Sequence, residues 1–346
     1  MKKLKVAFVG LGNICRERHI PGLMKLPHVE IIGVINRTEP SSKKVAQEYK
    51  IPHVYSTWIE LVNDPEVDIV WIGTWPYLHA PVSISALKAG KHVFCQARMA
   101  MNLLEAKQMY ETACRTGKVA GLCPVPFGMT YNKTISRMRR EGILGEIYFV
   151  KVNSFNDFNL EPNKPLHWRK DHRISGQNVL TLGMYIELIH RWFGWTKSVW
   201  GSYQIFTPTR NTPEGEIIEI QIPDQVQAQL ELDCGAIAQL TISGMSNYPQ
   251  ESVEIHTQYK TLYYDVLEDK LYELPKNGER KIIIPQEEDF YDVKNWSVEK
   301  DFIEAVSMGK EYHPDFEDGL KYMEVLDAIY KSAHSNQKVS IHSTTL

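Results

Sequence analysis

The sequence lacks a long apolar run, a strong charge imbalance and any close pair of cysteines. No apolar stretch approaches the ~20 residues that a membrane span needs, and the net charge is only −3. We therefore expect neither a membrane nor a nucleic acid as a partner. The five cysteines are scattered, without a C-x-x-C pair or a His/Cys cluster. This pattern favours free thiols in a reducing, cytoplasmic compartment over disulfides or a metal site.

What is present is an ordinary globular composition, with 43% hydrophobic and 23% charged residues. A chain of 346 residues is long enough for two domains. In residues 1–123, short apolar strands alternate with helices, a pattern typical of a parallel sheet that is covered on both faces. The predicted strands are 5–9, 30–35, 54–55, 67–72, 92–95 and 119–123, and the predicted helices are 43–49, 58–62, 80–89 and 104–116.

The pattern changes at a break marked by Pro124 and Pro126. Longer alternating strands joined by short turns follow, which predicts a mostly antiparallel sheet in a second domain, 124–346. Its closing helix, 316–335, can pack back on the first domain. The predicted strands are 147–155, 199–206, 226–232, 236–243, 253–258, 260–265, 270–274 and 280–284, and the other predicted helices are 130–141, 178–193 and 297–308.

The first strand runs straight into the turn Gly10-Leu11-Gly12-Asn13-Ile14. Gly10 allows a tight turn, and Gly12 lets a backbone approach a pyrophosphate with no side chain in the way. The helix expected next directs its first N–H groups at that anion. Cys15 replaces the third glycine of this pattern, and its small side chain should still permit close packing. Within a full βαβ unit, the turn predicts dinucleotide contacts from Gly10, Gly12, Asn13 and Ile14.

The end of the second strand indicates which dinucleotide is bound. An NAD site has an acid there that accepts hydrogen bonds from the ribose 2′-OH, whereas this chain has Asn36-Arg37-Thr38. Arg37 can stack on adenine and pair with a 2′-phosphate, and Thr38, Ser41 and Lys43 add donors. The segment therefore favours NADP, with NAD as the second choice. The alternative is that Arg37 is an ordinary surface arginine.

Four segments, 9–23, 74–81, 90–95 and 182–194, carry motifs such as Val9-Gly10-Leu11-Gly12 and Thr74-Trp75-Pro76-Tyr77-Leu78-His79. Together they resemble the Gfo/Idh/MocA family of nicotinamide-dependent oxidoreductases over nearly the whole chain. The resemblance implies an α/β protein: a Rossmann dinucleotide-binding domain, 1–123, and then an α/β domain with a large, mostly antiparallel open sheet. That sheet often mediates contacts in the family, so we expect a homodimer or homotetramer. The resemblance adds Asn36, Thr74, Trp75, His79 and Gln96 to the expected cofactor contacts.

The chain departs from the family at the Glu-Lys-Pro motif and at three ionisable positions of the fourth segment. Its Glu-Lys-Pro motif is replaced by Gln96-Ala97-Arg98, which removes the family lysine. Thr181 and Tyr185 stand where family members usually carry Asp and His, and Leu188 aligns with a second Asp. Tyrosine at the His position resembles the glucose-fructose oxidoreductase and dihydrodiol dehydrogenase branches, where it is the candidate proton donor.

Helical spacing of about 100° per residue places Thr181, Tyr185, Leu188 and Trp192 on one face. If that face looks at the nicotinamide, as in the family, Tyr185 is its only titratable group. A free tyrosine has a pKa of ~10, so it needs a nearby cation to act near neutrality. Arg98 is the obvious cation, and we predict Tyr185 and Arg98 as catalytic residues. The alternative for Tyr185 is a hydrogen-bonded buried phenol.

Other polar residues are assigned by the same resemblance. Trp168 and Arg169 are expected to form a substrate wall, with Thr181 as a further substrate contact and His167 or His172 as a reserve acid/base. Residues 170–173 are interpreted as a solvated charge run. Glu187 is expected to form an ordinary helix-surface pair with His190 and Arg191.

Three functions are compatible with these features. The first is an NADP-dependent oxidoreductase acting on a sugar, inositol or related polyol, with Tyr185 as the acid/base. The second uses a tightly bound nicotinamide for transient oxidation that cleaves or rearranges a glycoside, and the missing lysine motivates it. The third is a non-catalytic dinucleotide sensor, motivated by the loss of Lys, Asp and His.

Overall fold

The computed structural model describes residues 3–124, 129–289 and 296–341. The chain divides into two compact units. Met1–Pro124 and Ser297–Leu320 form the first unit, and Val125–Trp296 and Lys321–Leu346 form the second. Pro126, one of the two residues that mark the predicted break, lies outside the described residues.

The first unit contains a six-stranded parallel sheet. Its strands are β1 (Leu4–Val9), β2 (Val29–Ile35), β3 (His53–Val54), β4 (Ile69–Ile72), β5 (His92–Cys95) and β6 (Ala120–Leu122). Their order is β3-β2-β1-β4-β5-β6, and every pair is parallel. The predicted strands and the parallel sheet are confirmed.

Helices connect these strands. A π-helical turn, Cys15–His19, leads into α1, and the helices are α1 (Ile20–Met24), α2 (Glu39–Tyr49), α3 (Trp58–Asn63), α4 (His79–Lys88) and α5 (Leu103–Thr116). Helix α2 begins four residues before its predicted start. Thr38 caps it by accepting a hydrogen bond from the Ser41 N–H, and Pro40 lies in its first turn. Proline and serine are poor in a helix interior but suit the first turn, which explains the error.

The second unit contains a nine-stranded sheet and a separate two-stranded ribbon. Its helices are α6 (Asn132–Arg140), α7 (His172–Ser175) and α8 (Leu182–Phe193). Its strands are β7 (Ile147–Phe155), β8 (Thr196–Gln204), β9 (Thr209–Asn211), β10 (Ile217–Glu219), β11 (Gln225–Leu232), β12 (Ile237–Ser243), β13 (Gln250–Thr257), β14 (Thr261–Asp265), β15 (Lys270–Glu273) and β16 (Lys281–Ile282).

The last elements are α9 (Val298–Met308), α10 (Phe316–Ser335) and β17 (Val339–Ser340). Helix α9 belongs to the first unit, and α10 begins there and continues in the second. The order of the large sheet is β16-β15-β14-β13-β7-β12-β11-β8-β17, and only β7 and β12 run parallel. The mostly antiparallel sheet is confirmed, whereas the ribbon β9–β10, the short helix α7 and β17 were not predicted.

Hydrophobic burial follows the strand pattern. In β7, Val150 and Val152 are fully buried, while Lys151 and Asn153, which alternate with them, are partly exposed. This alternation is that of a sheet with one face against a core. Among the residues that the structure describes, no helix combines the length and apolarity that crossing a membrane requires.

A buried ion pair fixes the segment that was interpreted as a solvated charge run. Lys170 is only 3% exposed, and its Nζ lies 2.8 Å from Oδ1 of the fully buried Asp224. Lys170 also donates to the Ile222 carbonyl. The other Asp224 oxygen accepts the Phe206 and Thr207 N–H groups at 2.8 and 3.2 Å. The interpretation is wrong for Lys170, because this pairing offsets the cost of burying its charge.

Replacing Asp224 by Asn leaves the Lys170 ammonium buried without a counter-charge. We expect Asp224→Asn to lower the free energy of unfolding by about 3–5 kcal/mol, measured by urea denaturation. Glu268→Gln is the control, because Glu268 forms an exposed pair with Lys270 at 3.1 Å and its loss should barely matter. Equal losses in the two variants would contradict the structural role of the buried pair.

Candidate functional site

A cleft of about 760 Å³ lies in the first unit, where several strands of the parallel sheet end. Its walls include residues 10–12 after β1, 36–38 after β2, 56–59 after β3 and 73–75 after β4. Carboxyl ends of parallel strands meet at one edge of a sheet, and ligands bind where the strand order reverses. The order reverses here between β1 and β4, so the cleft has the position of a nucleotide site.

The floor of the cleft is built from glycines. Gly10 has φ +83°, and a Cβ there would lie 2.6 Å from Thr74 Cγ2, so turn geometry and crowding both require glycine. A Cβ on Gly12 would meet only the Gly73 carbonyl oxygen, at an ordinary 3.6 Å, within the described chain. Packing therefore does not explain Gly12. The open space above it fits a pyrophosphate that the backbone must approach closely.

Cys15 is accommodated by a glycine on the neighbouring strand end. A Cβ on Gly73 would lie 2.3 Å from Cys15 Sγ and 2.5 Å from the Gly10 carbonyl oxygen. Gly73 thus provides the space that the missing third glycine would have left. Burial raises the pKa of the Cys15 thiol to about 12, so it is inert at neutral pH.

Arg37 and Trp75 form one wall of the cleft. The Arg37 guanidinium lies 5.5 Å from the centroid of the Trp75 ring, within the range of a cation–π contact. Thr38 and Ser41 lie on the same wall. No carboxylate lines the cleft among the described residues, which matches the sequence at the end of β2.

Two polar residues of this region have roles that the sequence did not reveal. Asn36 Oδ1 accepts the Leu11 N–H at 2.7 Å, while the Asn36 N–H donates to Ser42 Oγ at 2.8 Å. Asn36 therefore ties the glycine turn to α2. Lys43 was expected to add a donor, but it pairs with Glu39 at 2.6 Å and is 67% exposed. We correct that expectation.

His79 and Gln96 do not line the described cleft. His79 is fully buried, with Nδ1 2.8 Å from the Arg98 carbonyl oxygen and Nε2 3.0 Å from the Thr74 carbonyl oxygen. Burial lowers its pKa. His79 thus holds the Thr74 turn, and its predicted contact with the cofactor stays a prediction.

Gln96 is engaged in a buried cluster. Its Nε2 donates to His19 Nε2, and His19 Nδ1 donates to Glu299 Oε1 at 2.5 Å. His19 is fully buried, and Glu299, on α9, is 1% exposed. Gln96 is the first member of this chain of hydrogen bonds, and its predicted contact with the ribose stays a prediction. Asn13 and Ile14 do not line the described cleft either, and their contacts with a dinucleotide stay predictions.

Sequence reasoning missed residues 56–59, together with Tyr77 and Leu78, which also line the cleft. Thr57 accepts a hydrogen bond from the Glu60 N–H at 3.1 Å, and Glu60 accepts the Ser56 N–H at 3.0 Å. The Thr-x-x-Glu spacing is that of a capping box. Together with the short strand before it, this signal could have placed the start of α3 at the same sheet edge.

The second unit contains a polar cluster around the start of α8. Thr181 precedes α8, Tyr185 lies in its first turns, and Ser154 is at the end of β7. Ser154 Oγ lies 2.8 Å from Thr181 Oγ1 and donates to Glu251 Oε1, on β13, at 3.2 Å. Ser154 and Glu251 are direct partners in the β7–β13 ladder. Sequence reasoning did not identify Ser154 or Glu251.

The electrostatics of Tyr185 within the second unit favour its protonated form. Tyr185 is fully buried. Burial, and then the Glu251 carboxylate, raise its pKa well above the ordinary value. Within the second unit an anion acts on the phenol, and the expected lowering of the pKa by Arg98 stays a prediction. Tyr185 is protonated at neutral pH and can donate a hydrogen bond. Its role as the acid/base group stays a prediction, as does a catalytic role for Arg98.

The residues of the predicted substrate wall contact one another. The Arg169 guanidinium lies 4.4 Å over the Trp168 ring. His167 Nδ1 accepts the Arg169 N–H at 3.2 Å, and its ring packs edge-on against Phe158 at 5.1 Å. Burial, followed by the Arg169 charge, lowers the pKa of His167. The substrate contacts of His167, Trp168, Arg169 and Thr181 stay predictions.

Glu187 and His190 are not surface residues. Glu187 pairs with Arg191 at 2.5 Å as expected, but Glu187 is only 5% exposed. His190 is 6% exposed, and its Nε2 lies 2.8 Å from Thr196 Oγ1. Burial lowers the pKa of His190 to about 3. The helix-surface interpretation is wrong, and a neutral His190 cannot act as an acid near pH 7.

Comparison with known proteins identifies the family. A model of an oxidoreductase family with an NAD-binding Rossmann fold matches residues 4–122, and the model of its C-terminal alpha/beta domain matches residues 138–341. The chain belongs to the Gfo/Idh/MocA family. The resemblance carried by the four sequence segments is confirmed, and the protein is an oxidoreductase of the NAD(P)-dependent class.

Several Gfo/Idh/MocA relatives are similar along most of this chain. A levoglucosan dehydrogenase of Pseudarthrobacter phenanthrenivorans is 23% identical over 389 aligned residues that cover 99% of each chain. A mouse trans-1,2-dihydrobenzene-1,2-diol dehydrogenase is 26% identical over 76% of this chain and 75% of its own. The structure of a levoglucosan dehydrogenase in complex with NADH and L-sorbose superimposes with a TM-score of 0.86 at 20% identity, covering 98% and 99% of the two chains.

The buried His190 makes the stability of this family member depend on pH. Its pKa is about 3 in the folded chain and ~6.5 when unfolded, so between these values only the unfolded state takes up the proton. This contribution to stability is complete above pH 6.5 and is lost as the pH falls. From pH 6.5 to 4.5 we expect a loss of about 2–3 kcal/mol.

Urea denaturation at several pH values measures this loss. His190→Gln keeps a donor for Thr196 and should show a shallower decline than wild type. His53→Gln, at an exposed position, is the matched control. Parallel curves for wild type and His190→Gln would contradict the buried, neutral state of His190.

Proposed function

We propose that this protein is an NADP-dependent oxidoreductase that interconverts a hydroxyl and a carbonyl group on a sugar, inositol or related polyol. The observation that carries the proposal is the cleft wall, where Arg37, Thr38 and Ser41 meet Trp75 and no described carboxylate is present. Full-length similarity to a levoglucosan dehydrogenase supports the substrate class. We also propose, from the family resemblance, that the protein is a cytoplasmic homo-oligomer.

The residues of the cleft fit this coenzyme. The Gly10 N–H is bonded to the Ile35 carbonyl, whereas Gly12, without a side chain, leaves room for the pyrophosphate to approach the backbone. Trp75 offers a flat surface to adenine. Arg37 presents a planar, permanently charged guanidinium, which suits a 2′-phosphate. An acid at this position would instead favour a free 2′-OH. When bound, the nicotinamide supplies hydride transfer.

The protein must also move a proton at the reacting oxygen. The family lysine is absent, since Ala97 holds its place, and His190 is neutral and buried. We therefore assign proton transfer to the polar cluster of Ser154, Thr181, Tyr185 and Glu251. In this cluster Ser154 links Thr181 to the Glu251 carboxylate, and the Tyr185 phenol lies near that carboxylate.

Arg37→Met tests the choice of coenzyme. Loss of a charge-assisted phosphate contact should weaken NADP binding by about 10- to 100-fold and leave NAD binding nearly unchanged. Lys43→Met is the matched control, because Lys43 pairs with Glu39 away from the cleft, and it should bind NADP like wild type. Both affinities are measured by isothermal titration. Equal weakening in both variants, or a wild-type preference for NAD, would contradict the NADP assignment.

The reaction is tested with a panel of sugars, inositols and anhydrosugars. We expect stoichiometric formation of NADPH on at least one of them, followed by absorbance. Dinucleotide released from denatured protein is identified by mass, to establish what the purified protein carries. Turnover of a glycoside without consumption of a copurified dinucleotide would replace the proposal with transient oxidation. Absence of any turnover and any dinucleotide binding would overturn it.

A further inference from the structure

Glu251 is a carboxylate on the helix-covered face of the nine-stranded sheet. In the β7–β13 ladder it lies opposite Ser154, and two residues later Val253 lies opposite Val152. Val253 and Val152 are fully buried. Alternate side chains of a strand share a face, so Glu251 points to the same side as this core. A carboxylate on a core-facing position needs partners or a function, because burying an unpaired charge is costly.

Hydroxyl groups converge on Glu251. Ser154 donates to Glu251 Oε1, and Ser154 Oγ in turn lies 2.8 Å from Thr181 Oγ1. Because Ser154 donates its hydroxyl proton to Glu251, Thr181 is the donor in the contact between Thr181 and Ser154. The Tyr185 phenol is near enough for the Glu251 charge to raise its pKa. Elements β7, β13 and α8 therefore build one site around a single carboxylate.

The members of this site differ in accessibility. Tyr185 has no exposed surface, whereas Glu251 and Thr181 are partly exposed. A group that exchanges a proton with a substrate must be reachable by it. The protonated phenol is also unable to accept a proton, while a carboxylate can. Accessibility and protonation state thus both point to Glu251 as the acceptor and to Tyr185 as a neutral phenol beside it.

This arrangement compensates for a departure from the family pattern. Thr181 stands where family members usually carry Asp, and the chain has no ionisable side chain at that position. Two hydrogen bonds connect Thr181 through Ser154 to Glu251. Glu251, which lies on β13, thereby supplies a carboxylate near the start of α8.

We propose that Glu251 is the catalytic base of this enzyme and that Tyr185 and Ser154 are its positioning residues. The proposal rests on the proposed function and names its proton acceptor. In the oxidising direction, the substrate O–H bond breaks and its proton passes to a Glu251 oxygen. The C–H bond breaks as hydride passes to the oxidised dinucleotide, and the carbon–oxygen double bond forms. The Glu251 carboxylic acid then returns its proton to solvent.

Other titratable groups near Glu251 are accounted for. Tyr185 faces it from α8, and Tyr264, on β14, lies close enough for the Glu251 charge to help raise its pKa, after burial and Asp269. Tyr264 donates to Asp269 at 2.5 Å, and Thr130 also donates to Asp269. Both phenols stay neutral, and Asp269 is engaged by two hydroxyl groups.

Glu251→Gln removes the base and keeps an acceptor for Ser154. We expect kcat to fall by about 100-fold or more, with the dinucleotide affinity unchanged in isothermal titration. The wild-type loss of activity at acid pH should disappear from the residual activity. Glu254→Gln is the matched control: it changes the same residue type on the same strand, opposite Lys151 rather than Ser154, and should leave kcat unchanged.

Three further measurements separate catalysis from structure. Formate should restore turnover to Glu251→Ala, which filling a merely structural site would not do. Tyr185→Phe should lower kcat but retain the acid limb of the pH profile. Infrared spectra of the wild type should show a carboxylic C=O band that grows with the same pH midpoint as the activity loss and is missing in Glu251→Gln.

The outcomes distinguish this inference from the proposed function. An active wild type whose Glu251→Gln variant keeps both its kcat and its acid limb would overturn the role of Glu251 alone. Loss of the acid limb in Tyr185→Phe instead would make the phenol the acid/base group and would also overturn it. A wild type that binds a dinucleotide but oxidises no polyol would overturn the proposed function, and this inference with it.

Discussion

The close approach of two backbone segments, at Gly10 and Gly73, is the constraint on which the cleft depends. Neither position has room for a side chain: a Cβ on Gly10 would strike Thr74, and one on Gly73 would strike Cys15 and Gly10 itself. Because β1 and β4 are neighbours at the point where the strand order reverses, this contact sets the width of the opening between them. The walls at Arg37 and Trp75 follow from where β2 and β4 end. The position of the nucleotide site is therefore set by backbone geometry rather than by particular side chains.

The chain lacks the ionisable residues that the family usually carries, and the proton acceptor that we propose lies on a different element. Family positions for Lys, Asp and His hold Ala97, Thr181 and Tyr185, and the nearby histidine, His190, is kept neutral by burial. What replaces them is a single carboxylate, Glu251, on β13, reached through hydroxyl groups. Such a site depends on hydrogen-bond geometry rather than on opposite charges, since its described partners are neutral.

Individual strands, helices and turns were predictable because each depends on a short stretch of sequence. The apolar strands of the parallel sheet, β7 at 147–155 and the closing helix at 316–335 have the predicted positions. The glycine turn and Arg37 line the cleft at the end of the parallel sheet, and their contacts with a dinucleotide stay predictions. In these cases burial and turn chemistry act within a few residues.

Long-range features were not predictable from pattern alone. Glu251 and Ser154 are 97 residues apart in sequence, and only the register of β7 against β13 brings them together. Gln96 is bonded to His19, which in turn is bonded to Glu299 on α9. No local signal near Gln96 indicates that α9 returns to the first unit. Lys170 was interpreted as solvated because its neighbours are charged, whereas its partner Asp224 lies 54 residues away.

The return of residues 297–320 to the first unit has a consequence for how the chain is made. Helix α9 supplies Glu299, the buried partner of His19, and Tyr312 Oη donates to the Leu122 carbonyl at 3.0 Å. When β6 has been synthesised, the residues that complete the nucleotide-binding unit have therefore not yet been synthesised. The first unit therefore stays incomplete until the large sheet has been synthesised. A fragment that ends after Pro124 would expose the His19 imidazole and the aromatic core that residues 297–320 cover.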